Sequence, residues 1–142
     1  MKDLRQYRTC VCNINYHIVF SVKYRRKVLN NTIEASLKEI VLQTAIEKDF
    51  EVVAMEVGEL DHVHIFVKAH PKYAIGQIVK WIKGISGRKL FIRHPDLKQK
   101  LWKGHLWTNS YYVETIGSTS EENIRKYIEG QSKEPKSNSS HD

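Results

Sequence analysis

His62 and His64 stand two residues apart in the run Asp61-His62-Val63-His64-Ile65. On a β-strand, residues i and i+2 project from one face, so the two imidazoles would lie side by side while Val63 turns toward a core. Two neutral imidazoles and one oxygen ligand can hold a divalent ion and leave positions open for a phosphate, as Lewis-acid catalysis requires. The same spacing would also suit two solvated or hydrogen-bonded histidines; their position mid-strand, beside other polar residues, favours the site. Asp61 could orient an imidazole from behind, although a turn residue needs no such role. Near the other end of the chain, Tyr127 and Gln131 are four apart, one helical turn, and share a helix face. A phenol suits attack on a phosphodiester because the phosphotyrosine ester is reversible and conserves the bond energy. With an ordinary pKa near ~10 it needs a metal or base nearby to ionise. Ile124 and Ile128 line the same stripe, so a packing tyrosine with a polar residue at the helix end is the alternative.

The charge pattern points to the partner. Lys and Arg number 23 against 16 Asp and Glu, a formal charge of +7 on 142 residues. Such an excess favours a polyanion, most simply nucleic acid, because each neutralised phosphate releases counterions. The candidate phosphate contacts are Arg25 and Arg26 in the basic turn Lys23-Tyr24-Arg25-Arg26-Lys27, and Lys80, Lys83, Arg88 and Lys89 along a helix. Gly84 and Gly87 on that helix would let a phosphate backbone approach, at up to about 1 kcal/mol of helix stability each. Trp102, Trp107, Tyr111 and Tyr112 could stack on unpaired bases, though most of this cluster is better suited to core or interface.

These groups need a scaffold. With 41% hydrophobic and 27% charged residues, the composition excludes a disordered chain, a collagen-like repeat and a disulfide scaffold. No apolar run approaches the roughly 20 residues of a membrane span, and the start Met1-Lys2-Asp3-Leu4-Arg5 lacks a signal-peptide core. Cys10 and Cys12 are too close for an ordinary disulfide and read as reduced core residues of a cytoplasmic protein. The chain is expected to form one domain over residues 1–131, frayed before residue 9, with a polar, disordered tail over 132–142.

Alternation from Cys10 to Val22 predicts one long strand, with Cys10, Cys12, Ile14, Tyr16, Ile18, Phe20 and Val22 on its apolar face and Asn13, Asn15 and His17 on the other. Helical spacing over 32–48, opened by Asn31 as N-cap, predicts an amphipathic helix. Strands over 51–58 and 61–68 form a hairpin about a tight turn. A second helix covers about 73–92, ended by Pro95. Residues 105–116 give a last strand or strand pair. Overlapping capping boxes, Ser118 with Glu121 and Thr119 with Glu122, open a helix over 118–131. This order predicts an α+β, ferredoxin-like or RNA-recognition-like βαββαβ sandwich with an antiparallel sheet, plus a C-terminal helix carrying the tyrosine. Both crossover helices should cover one face, leaving Asn13, Asn15, His17, His62 and His64 on an open, accessible one.

Taken together, these residues resemble the single-tyrosine HUH transposases of insertion sequences, a likeness running from about residue 13 to 131. It is carried by Asp61-His62-Val63-His64-Ile65, Lys83-Gly84-Ile85-Ser86-Gly87-Arg88, Leu106-Trp107-Thr108-Asn109-Ser110-Tyr111-Tyr112-Val113, Thr115-Ile116-Gly117 and Tyr127-Ile128-Glu129-Gly130-Gln131, with Tyr16-His17-Ile18-Val19-Phe20 and Lys23-Tyr24-Arg25 upstream. The resemblance implies a metal-dependent enzyme that cleaves and rejoins single-stranded DNA at insertion-sequence ends. His62, His64 and Gln131 would bind Mg²⁺ or Mn²⁺, and Tyr127 would form a 5′-phosphotyrosine. It also implies recognition of subterminal DNA hairpins and a homodimer, in which the tyrosine helix can be exchanged between subunits about the hinge at residues 117–120. A domesticated HUH hairpin nuclease shares every catalytic residue. A non-catalytic single-stranded nucleic-acid-binding module shares the fold but has no need of the histidine pair with Tyr127 and Gln131.

Overall fold

The computed structural model describes residues 4–101 and 104–129, with the backbone alone of residues 130–133. A small antiparallel ribbon, β1 (Arg5–Gln6) and β2 (Val11–Cys12), leads into β3 (Asn15–Ser21). Then follow α1 (Asn31–Lys48), β4 (Glu51–Gly58), β5 (His62–Lys68), α2 (Ile75–Arg93), the short α3 (Pro95–Gln99), β6 (Tyr112–Ile116) and α4 (Glu121–Lys133). The main sheet is antiparallel in the order β4-β5-β3-β6, so the strands bearing His17 and the His62/His64 pair are central neighbours. This is the predicted ferredoxin-like α+β architecture.

Alternation divides the sheet. Ile18, Phe20, Val22, Val63, Ile65 and Val67 face α1 and α2, where Leu37, Ile40, Val41, Ile78, Val79 and Ile82 complete one apolar core. Burying each such side chain stabilises the fold by about 1.5–3 kcal/mol. The opposite face carries Asn15, His17, His64, Phe66 and Lys68, and α4 lies across it. Ile124, Tyr127 and Ile128 pack there on Phe66, Ile116, Val53 and Ala54.

Several details differ from the sequence reading. The long strand from Cys10 is broken at Asn13 and Ile14, and residues 5–12 pair as a ribbon where fraying was expected. Cys10 and Cys12 are free and half-buried there, outside the core. The N-cap of α1 is Asn30, whose Oδ1 accepts from the Ile33 amide at 3.0 Å. Pro95 ends α2 and opens α3. At α4 it is Ser120 Oγ that accepts from the Asn123 amide, one residue past the expected caps. The face expected to be open is covered by α4: His17 is fully buried and His64 only 5% exposed. The helix runs to Lys133, two residues into the expected tail, whose remaining residues 134–142 lie outside the described residues, as does Trp102.

Candidate active site

Two turns with left-handed backbone build the edge of the site. Glu59 and Leu60 join β4 to β5 at φ of 50° and 64°, and Tyr24 and Arg25 follow β3 at 58° and 53°. Non-glycine residues in this region cost roughly 1–2 kcal/mol each, so something must hold them. The turns brace one another: the Leu29 amide donates to the Leu60 carbonyl at 2.9 Å, and the Val22 amide to the Asp61 carbonyl at 2.8 Å. Strain of this kind gathers where a site has to be fixed in shape.

What the turns fix is Asp61, only 4% exposed. Its carboxylate takes an ion pair from Arg25 (Nε to Oδ2, 3.2 Å), a second from Lys27 at 3.4 Å, and a hydrogen bond from His62 Nδ1 at 2.8 Å. Burial alone would raise its pKa, but the hydrogen bonds from His62 and Arg25, with the charges of Arg25 and Lys27, hold it below the ordinary carboxylate value. An ionised carboxylate only accepts, so His62 carries a proton on Nδ1 and turns its Nε2 away from Asp61. Gly58 faces His62 across the β4–β5 ladder, and a Cβ at that position would overlap the imidazole. Sequence reasoning placed Gly58 as the last residue of the 51–58 strand, at the tight turn, and missed this close approach.

The His62 and His64 rings lie 5.1 Å apart between centroids, as their i, i+2 spacing requires. His64 Nδ1 lies 3.0 Å from His17 Nε2, and His17 Nδ1 lies 3.0 Å from Glu114 Oε2. Burial lowers the pKa of His17, and that of His64 to about 3, where the neighbouring His17 and His62 further oppose a positive charge. Both imidazoles are therefore neutral at pH 7, the form a metal ligand requires. His17 stacks flat on Phe66 at 4.4 Å, and the Tyr127 ring meets its edge at 5.5 Å. The fold thus links Asp61, His62 and His64 and sets Tyr127 against His17, the hydrogen-bond partner of His64. Gln131 lies one helical turn beyond Tyr127 on α4, and its side chain falls outside the described residues. Among the described residues no three His, Cys, Asp or Glu side chains converge on one point, so the histidine pair would need an oxygen from elsewhere to complete a cation site. Its two imidazoles, the His64 ring neutral and the His62 ring fixed by a carboxylate, fit that use.

The predicted phosphate contacts divide. Lys80 and Arg88 are exposed on the outer side of α2, beneath the opposite face of the sheet. They line a groove of about 490 Å³ with Gly84, Gly87, His105 and Tyr111. Lys89 is half-buried on the same helix, and Arg26 is exposed beside a second hollow with Lys100. Two of the expected contacts already have partners within the protein. Lys83 Nζ donates to the Thr108 and Ser110 carbonyls at 2.6 and 3.2 Å, so it pins the loop before β6; desolvation there lowers its pKa. Arg25 is engaged by Asp61 as described. Trp107 is also structural: buried, it donates from Nε1 to Ser86 Oγ and meets Phe20 edge-on. Tyr111 and Tyr112 remain exposed.

Residues 10–131 match the family described as Transposase IS200 like. The ISDra2 transposase TnpA of Deinococcus radiodurans is 40% identical over 129 residues, covering 91% of each chain. The transposase for insertion sequence element IS200 of Salmonella typhimurium is 31% identical, over 87% of this chain and 80% of its own length. A transposase crystal structure from Deinococcus radiodurans R1 aligns with a TM-score of 0.74 and 38% identity, over 89% of this chain and 97% of that one. The REP-associated tyrosine transposase, solved bound to a REP hairpin, shares the fold at a TM-score of 0.56 and 17% identity, over 87% and 68% of the two chains. The chain belongs to the IS200-like transposase family, enzymes that break and rejoin DNA. No described helix is long and apolar enough to cross a membrane.

Proposed function

We propose that this transposase cleaves and rejoins single-stranded DNA at insertion-sequence ends through a 5′-phosphotyrosine at Tyr127, and recognises subterminal DNA hairpins. The observation that carries this reading is the packing of Tyr127 against His17, whose far nitrogen touches His64. That contact supports a phenol on the same sheet face as the histidine pair, one buried imidazole away from His64. His62 and His64, with the Gln131 carboxamide, would hold Mg²⁺ or Mn²⁺, which when bound supplies Lewis-acid polarisation of the scissile phosphate.

Tyr127 Oη attacks phosphorus, the bond from phosphorus to the 3′-oxygen breaks, and the leaving strand takes a proton to become a free 3′-hydroxyl. In the reverse step a 3′-hydroxyl attacks the phosphotyrosine and returns the phenol. Asp61 keeps its imidazole oriented throughout. Lys80, Arg88, Lys89 and Arg26 offer cations to the DNA backbone, and the enzyme works in the cytoplasm as a homodimer. The segment over residues 117–120 serves as the hinge on which α4 could be exchanged between subunits.

The test is a denaturing gel with end-labelled single-stranded DNA from the element's ends, with and without manganese or magnesium. A metal-dependent protein–DNA adduct that disappears in Tyr127→Phe is expected. Tight hairpin binding with no adduct under either metal would overturn the reading in favour of a binding module.

A further inference from the structure

The two candidate ligand imidazoles are backed differently. His62 leans directly on the carboxylate of Asp61. Among the described residues His64 Nδ1 has an imidazole, not a carboxylate, as its hydrogen-bond partner: behind it stands His17 on β3, and behind that Glu114 on β6, each link 3.0 Å long. The strand register makes this possible, since His17 pairs with Glu114 on one side and lies two residue pairs from His64, on the same sheet face, on the other. The His17 ring is fully buried and held in plane by Phe66, with 2° between the rings.

The chemistry of the chain gives it a direction. A carboxylate has only acceptor sites, so His17 must place its proton on Nδ1, facing Glu114. A neutral imidazole protonated there has a bare Nε2, which can only accept, so His64 must donate from Nδ1. The His64 Nε2 is then left with its lone pair free. We infer that His17 and Glu114 are positioning residues: a relay across three strands that fixes His64 in the tautomer able to bind a divalent ion through Nε2. The inference rests on reading His62 and His64 as the metal pair. It assigns a task to two residues that a purely structural buried pair would not have, because burial alone is indifferent to which nitrogen of His64 carries the proton.

The first readout needs no metal. In the wild-type protein, long-range proton–nitrogen NMR should show His64 protonated on Nδ1 and bare on Nε2, like His62. A His64 protonated on Nε2 overturns the inference without any variant. Glu114→Gln replaces an acceptor with a group that can also donate, so the direction is lost. His64 should shift toward the other tautomer while His62, backed by Asp61, keeps its signals and reports an intact fold. Mn²⁺ affinity, followed by electron paramagnetic resonance, should fall about 10–100-fold in Glu114→Gln, the usual effect of removing an outer partner of a metal-bound histidine. It should fall at least as far in His17→Phe. His17→Gln, whose carbonyl can still accept from His64 Nδ1, should recover most of it. Wild-type affinity in both Glu114→Gln and His17→Phe would remove the relay and leave the metal pair standing. Equal Mn²⁺ binding by the wild type and a His62→Ala, His64→Ala double variant would remove the pair, and the relay with it.

Discussion

One sheet presents two faces that are built on opposite terms. Toward α1 and α2 it offers branched aliphatic and aromatic side chains, and the helices answer with more of the same over their full length. Toward α4 it offers two buried histidines, an asparagine and a lysine around Phe66, and among the described residues the helix answers with Ile124, Tyr127 and Ile128. The first face supplies the apolar burial that stabilises a domain of this size. The second face carries polar groups that are costly to bury and are tolerated because each has a partner. The lesson lies in the helix that covers it. The nucleophile proposed at Tyr127 would ride on an element held by a small apolar patch, so that it could be seated for chemistry while the rest of the fold does not depend on that seating.

The sharpest separation of the two faces is Tyr127→Phe. Adduct formation should fall by roughly a thousandfold or more, as loss of a nucleophile requires, with global stability within about 0.5 kcal/mol of wild type. Adduct yield on a denaturing gel, read beside urea unfolding, checks both halves. A large stability loss would mean that the phenol is a structural anchor. Next in size is a paired test of packing. Ile65→Ala, at a fully buried position under α1 and α2, should cost about 2–5 kcal/mol of global stability. Ile124→Ala under α4 should instead leave the urea midpoint nearly in place and speed hydrogen exchange in α4 selectively. If both variants lowered the midpoint equally, the two faces would be one cooperative unit and the contrast would fail.

Acid probes the polar face directly. His17 and His64 are neutral when folded, with His64 depressed to about 3 against an ordinary value of 6.5. As pH drops below about 6.5 the unfolded chain takes up protons that the folded chain refuses, so stability declines from there toward pH 3. Asp61, held below its ordinary value by His62 and Arg25, adds a loss of the same sign at the acid end. The midpoint of urea unfolding should therefore drop steadily between pH 7 and pH 4, and His64→Leu should flatten that slope where Ile65→Ala does not. Unchanged stability between pH 7 and pH 5 would contradict the buried, neutral assignment.

Much of this was legible in the residues, for physical reasons. The histidine pair is visible because the strand period is two, and Tyr127 because helical spacing ties it to Ile124 and Ile128. The order of elements and their antiparallel sheet follow from alternation and turn chemistry. What escaped depends on long-range register. Glu114 meets His17 across 97 positions of sequence, and nothing local says which residue of β6 will face β3. His17 did fall on the correct face, a signal that could have drawn attention to it. The β1–β2 ribbon is too short and polar to show a period. Lys83 and Arg25 read as free cations because the carbonyls and the carboxylate that engage them come from distant turns.

Gly58 is a subtler break, because its effect would pass through one neighbouring ring. It lies opposite His62, and a methyl group there overlaps the imidazole. Gly58→Ala should cost about 1–3 kcal/mol through overpacking and, by turning His62 off its bond to Asp61, lower Mn²⁺ affinity roughly tenfold or more. Calorimetric titration reads the second effect; full affinity would show that the ring can step aside without losing its orientation.

The smallest effect belongs to the other face and serves as its control. Asn30 caps α1 through a single hydrogen bond to the Ile33 amide, so Asn30→Ala should cost about 1 kcal/mol. Because α1 rests only on the apolar side, that loss should appear in the urea midpoint and nowhere else: adduct yield per folded molecule, Mn²⁺ affinity and the pH slope should all match wild type. A cap variant that also weakened metal binding would show that the two faces communicate through the sheet. The division of labour between them would then be a gradient rather than a boundary.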